Sequence, residues 1–357
     1  MTTRRGFLGG LMAAGLTPRA SWADVGLPDF VTAGLEPNGQ YILAGLSRSG
    51  EVLFRHPLPG RGHAASAHPL RPEVIAFARR PGRFADVLDC RTGRQIARIT
   101  PPEGLHFYGH GCFSEDGSRL FTTENDYENA RGVIGIWDSA TYRRIGSFSS
   151  GDIGPHDILR HPDGYLVVAN GGIETHPESG RTPLNLPTMR SSLAYLSFDG
   201  ALLEHVALPT DLRLNSIRHL ALAPDGTVGF AMQWQGDLGD VVPIVGLHRR
   251  GTAPRLLAED DPRLRNLNGY GGSIAFAPDG ETVAVSSPRG DRVQIMDVHS
   301  AEMTQEHNLA DVCGLATAGA GWVATTGLGQ VLSLSPEQAR PITTGATAWD
   351  NHLIPVG

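Results

Sequence analysis

Five histidines of this 357-residue chain recur at one kind of position, each just ahead of an apolar stretch that reads as a β-strand. They stand in Arg61-Gly62-His63, Tyr108-Gly109-His110, Gly154-Pro155-His156, Ile217-Arg218-His219 and Trp349-Asp350-Asn351-His352. Neutral imidazole is the commonest transition-metal ligand, so a ring of such residues could hold a metal, with iron or copper the candidate ions. Cys112 or Cys313 could add a softer ligand. The spacing leaves two readings open. Counted back from the following turn, His63 and His156 sit six residues before proline, whereas His110 and His219 sit five before Glu115 and Pro224. One residue of offset reverses side-chain direction in a strand, so only one pair faces inward unless bulges restore the register. The competing role for most of these histidines is structural, bonding neighbouring strands.

A second group is charged and aromatic. Glu124-Asn125-Asp126-Tyr127-Glu128-Asn129-Ala130-Arg131 forms one segment, and residues 170–190 form a connection far longer than a hairpin requires. The expected ligand or partner surface comprises Glu124, Asn125, Asp126, Tyr127, Arg131, Asn170, Glu174, Arg181, Arg218 and Gln233, with His176 as a sixth candidate metal ligand. His68, His161, His205, His248, His299 and His307 lie near turns or outer strands and read as solvated. Trp137 and Trp322 lie on strands and are expected to pack between repeats.

The element that must position these residues is a repeated pair of strands joined by a short polar turn. It occurs seven times, from the pair around Arg48-Ser49-Gly50 to the one around Pro336-Glu337. Ahead of most pairs lies another, with Asp-Gly hairpin signals at 116–117, 163–164, 225–226 and 279–280. Four strands per unit and about 48 residues per unit predict an all-β, seven-bladed propeller. The first unit lacks a strand and Trp349 to Val356 is a spare one, so the two ends of the chain together complete blade one. In such a fold the segment entering each innermost strand and the loop between second and third strands open on the same face. The candidate metal ligands and the charged and aromatic surface residues then share that face.

Composition narrows the function. The chain has no lysine, so Schiff-base chemistry and a P-loop are excluded, and its net charge of −7 disfavours nucleic acid. Thr3-Arg4-Arg5-Gly6-Phe7-Leu8, a short weak apolar run and Ser21-Trp22-Ala23 predict a twin-arginine export signal over residues 1–23. The apolar run is well short of the roughly 20 residues of a membrane span. A single propeller domain over 24–357, periplasmic and of net charge −10, is the expected mature protein. Three cysteines in an oxidising compartment leave at least one thiol unpaired. No haem-attachment or serine-hydrolase motif occurs.

Long stretches of the sequence resemble one exported bacterial family, domain of unknown function family 1513. They are Phe107-Tyr108-Gly109-His110-Gly111, Thr122-Thr123-Glu124-Asn125-Asp126-Tyr127, Asn170-Gly171-Gly172-Ile173-Glu174-Thr175-His176-Pro177 and Ser216-Ile217-Arg218-His219-Leu220-Ala221. The resemblance implies a seven-bladed propeller exported by the twin-arginine route. It also implies a setting beside imelysin-type proteins and a di-haem oxidoreductase-like protein, hence periplasmic iron acquisition. It transfers no reaction. The leading expectation is a periplasmic binding protein that holds a metal, a metal chelate or an imelysin-like partner through its histidine- and carboxylate-rich face. A metal-dependent propeller enzyme, lactonase or oxidoreductase in type, and a metal-free interaction platform are the alternatives.

Overall fold

A computed structural model describes residues 21–23 and 26–356 of the chain. The export signal expected over 1–23 lies almost wholly outside the described residues. Seven four-stranded antiparallel sheets follow one another around an axis. Blade one runs outward from Ala348–Pro355 through Phe30–Leu35 and Tyr41–Leu46 to Val52–Pro57, so the C-terminal strand supplies its inner edge. Blades two to seven each use four consecutive strands. Their innermost members are Gly62–Ala67, Leu105–Phe113, Pro155–His161, Asn215–Leu222, Ser273–Phe276 and Val312–Ala318.

The sequence pattern changes with distance from the axis because burial does. Tyr165–Asn170, a second strand, is buried at every position and reads as a continuous apolar run, since both of its faces meet neighbouring blades. Arg143–Ser149, an outermost strand, alternates exposed and half-buried residues. Trp137 packs with Phe107 and with Phe77 of the blade before it, and the Trp322 indole donates to the Ala275 carbonyl of blade six at 3.0 Å.

Three histidines expected in solvent are buried instead: His68, His161 and His248. His68 accepts from the Leu70 and Arg71 amides through Nδ1 and donates through Nε2 to the Gly117 carbonyl of the next blade, 3.0 Å away. His161 repeats the pattern, taking the Asp163 amide and giving Nε2–H to Gly226 at 2.9 Å. Both carbonyls belong to Asp-Gly turns whose glycines have φ of +68° and +83°. The turn signals and these histidines are thus one device that ties adjacent blades. His248 meets the Tyr195 hydroxyl at 2.6 Å. His205 and His299 are exposed and His307 is half-buried.

Candidate metal centre

All five channel histidines converge. His63, His110, His156, His219 and His352 come from five consecutive blades, each is at most 7% exposed, and neighbouring ring centroids lie 4.5 to 5.1 Å apart. The one-residue offset between the two pairs does not turn one of them outward. Pairing of the innermost strands shifts register between Gly62 and Ala65, Phe107 and Gly111, Pro155 and Asp157, and Ile217 and His219. A bulge at each histidine therefore re-aims the side chain, the physical remedy for an offset. Gly109, at φ +110°, sits against the His63 ring, where a Cβ would lie 2.5 Å from Cδ2. Blades six and seven contribute Tyr270-Gly271-Gly272 and Val312-Cys313-Gly314. The absent side chain of Gly314 lets the backbone of His352 and Leu353 approach to under 3 Å of where a Cβ would stand.

Two overlapping triads have ligand atoms within 4.8 Å of one another: His63, His110 and His352, and His110, His156 and His219. Six ring nitrogens of the five histidines are buried with no hydrogen-bond partner in the protein: His63 Nδ1, His110 Nε2, His156 Nε2, both of His219 and His352 Nε2. Burial alone makes that costly, at about 1–3 kcal/mol for each unpaired group. Burial, reinforced by neighbouring cationic groups, holds His63, His156 and His352 far below the usual histidine range and takes His219 down to about 3. These rings are neutral and keep a lone pair, the form a metal requires.

The first triad suits a metal better. Nδ1 of His110 faces Asp157 Oδ1 at 2.9 Å, which leaves Nε2 as the free lone pair. Asp157 is itself fixed by the Ile158 and Leu220 amides at 2.7 and 2.9 Å. Burial opposes its charge, but the His110 ring and the Leu220 amide outweigh this and hold its carboxyl below the usual range. A carboxylate behind an imidazole is the common outer arrangement of metal sites. In the second triad, His156 Nδ1 accepts from Arg218 Nη1 at 3.3 Å, which places the ring proton on Nε2 and removes that lone pair. The donor set of His63, His110 and His352 thus fits a resident borderline metal such as ferrous iron, zinc or copper, which would supply Lewis acidity or redox chemistry.

The other predicted residues lie elsewhere. His176 packs edge-on against Tyr127 and near Glu128, 3.6 Å away, outside both triads. Glu124, Asn125 and Asp126 are not a loop: they continue the strand Arg119–Asp126, paired with Val133, Gly132 and Arg131. Glu124 is buried inside blade three with Arg144 and Thr122 at 2.7 Å. Asn125 holds His106, and Asp126 pairs with Arg131 and Asn129 across a four-residue hairpin turn. Asn170 ends a strand and bonds Ser150. Glu174 lies half-buried at the base of the long loop, where Asn185 receives its amide. Neither thiol joins the histidines. Burial raises Cys112 and pushes Cys313 up to about 12, and Cys313 faces the Asp311 carbonyl at 3.2 Å.

Arg181, Arg218 and Gln233 do meet, in a cavity of about 630 Å³ that opens on the face where the innermost strands begin. A narrow throat lined by Arg79, Arg80, Tyr108 and Arg218 leads from it to His63, His156 and His219. Arg79 and Arg80 were not singled out in the sequence; only their place between the second and third strands of blade two marks them. On the far side of the imidazole layer the channel continues for about 310 Å³ among apolar residues such as Leu159, Leu222 and Ala316.

The family model described as a protein of unknown function, DUF1513, matches residues 56–356. The chain belongs to this family. No curated protein sequence matches it. Among solved structures, a chain of Kuenenia stuttgartiensis hydrazine synthase is similar at 17% identity and a TM-score of 0.53, over 79% of this chain and 80% of that one. A chain of a mitotic checkpoint complex is similar at 13% identity and 0.56, over 80% and 76%. At these identities the likeness is one of fold alone. This DUF1513 member is a seven-bladed propeller whose axis carries five imidazoles.

Proposed function

We propose that this protein is a periplasmic metal-binding propeller that serves iron acquisition, with His63, His110 and His352 as ligands. The observation that carries this reading is the convergence of buried imidazoles whose free nitrogens have no protein partner. The twin-arginine motif supports it as well, because that route moves folded proteins and would let a metal be inserted before export. The setting implied by the family resemblance favours iron and an imelysin-like partner. An axial set made of imidazole rather than Glu, Asn and Asp speaks for binding over lactonase chemistry, and it favours ferrous over ferric ion.

Metal analysis of protein from its native periplasm, followed by titration calorimetry with ferrous, zinc and cupric ions, tests the reading. One ion per chain is expected. Asp157→Asn should weaken binding by about 10- to 100-fold, the usual cost of losing the carboxylate behind a histidine ligand. His352→Ala should weaken it further. Absence of binding in the wild type, or full affinity in both folded variants, rejects the metal centre.

A further inference from the structure

The mouth above the imidazoles carries six arginines, Arg61, Arg79, Arg80, Arg181, Arg218 and Arg289, against two carboxylates, Asp311 and Asp350. Asp350 is already used, by Arg61 at 2.6 Å and Arg79 at 3.8 Å. Arg289 lies over the Tyr270 ring at 4.5 Å. Arg80, Arg181 and Arg218 have no carboxylate within ion-pair distance among the described residues; the bond of Arg80 is to Thr175 Oγ1 at 3.3 Å. Arg218 is the extreme case, 4% exposed, with Nε bonded to nothing in the protein. The indole Nε1 of Trp349, on the same wall, is likewise buried and unpaired.

Such an arrangement has a cost that folding alone does not explain. A buried guanidinium left without a counter-charge is strongly unfavourable, and like charges gathered around one space add to it. Planar guanidiniums with free N–H groups match carboxylate and phosphate oxygens two at a time. The volume is that of an ordinary small-molecule site.

We infer that this cavity binds a small, multiply charged oxyanion, a polycarboxylate or a phosphate, through Arg80, Arg181 and Arg218. The anion supplies the counter-charge that Arg80, Arg181 and Arg218 lack. Its test is separate from that of the metal centre, because Arg80 and Arg181 touch none of the three proposed ligands and are probed in metal-depleted protein.

Titration of chelator-treated, metal-depleted protein with citrate and, separately, inorganic phosphate tests it, read by calorimetry and by the fluorescence of Trp234 and Trp349, which line the cavity. At least one anion is expected to bind, more weakly as salt is raised, and the preferred one identifies the carboxylate or phosphate source. Arg218→Gln should weaken binding by about 10- to 100-fold, as loss of a charge-assisted hydrogen bond implies. Arg181→Gln, in an exposed loop outside the blades, should weaken it about 10-fold without disturbing the fold. Acetate should bind far more weakly than either. If neither citrate nor phosphate binds at low salt, or if folded Arg181→Gln and Arg218→Gln proteins bind as the wild type does, the inference is wrong.

Discussion

The two nitrogens of His110 have separate tasks, one held by Asp157 and one facing the other imidazoles, and this division decides which histidines can act together. The five histidines were legible as a set because each leads into an apolar run, and all five lie on innermost strands. Asp157 was not, although it follows His156 directly, because it serves the histidine of the neighbouring blade and spacing along the chain carries no trace of that. Burial also gives these residues a pH signature. His219 titrates at about 3 and His106, buried beside Phe107, at about 4, whereas both titrate near 6.5 when unfolded. Between these values the unfolded chain binds more protons, so stability rises with pH there. It is intact above about pH 6.5, is lost as the pH falls toward the folded values, and is flat below them. The urea midpoint of metal-depleted protein should therefore drop steeply between pH 7 and about pH 4. In His219→Gln the slope should be shallower, and an unchanged slope would show that this imidazole is not held neutral by the fold.

Among elements, the innermost strands matter most, and what matters in them is their irregularity. The alternation of residues argued that two pairs of histidines point opposite ways, and the bulges at 62–65, 107–111, 155–157 and 217–219 cancel that difference. Bulges leave little mark in sequence beyond a glycine or proline, which also marks ordinary turns. Gly109 is the position where the irregularity can be tested. A side chain there would meet the His63 ring and would have to adopt φ near +110°, so Gly109→Ala should cost on the order of 1–3 kcal/mol. It should also displace His63 and reduce metal affinity. Denaturant unfolding and calorimetry on the same variant check both effects; a Gly109→Ala protein as stable as the wild type would mean that the strand tolerates a regular course. Residues 124–126 read as loop rather than strand for a related reason. Their run of charges breaks the apolar pattern of a strand, yet ladder pairing and the ion pairs with Arg144 and Arg131 carry the strand through Glu124 and Asp126.

At the scale of the whole molecule, the repeat and its closure were plain in the chain, because strand pairs and Asp-Gly turns recur at near-constant intervals. The arginine mouth was not, since its members come from four blades with no common spacing. Closure gives the C-terminal strand two places in the molecule: Ala348–Pro355 pairs with Phe30–Leu35 and carries His352, a proposed ligand. Removing residues 349–357 should abolish cooperative unfolding and lower solubility by exposing a sheet edge. A truncated protein that melts like the full-length one would show that the ring does not depend on this strand.

On the proposed reading, the imidazole layer divides the channel into two approaches of opposite character, and traffic to the axis is sorted accordingly. From the arginine side a bare divalent cation climbs a repulsive potential, while the same ion wrapped in a negatively charged carrier runs downhill and could leave its carrier behind among the guanidiniums. From the far side the walls are apolar, with Asp157 the carboxylate at the threshold. The charge an ion wears on arrival, more than its size, then selects the door through which it reaches the histidines.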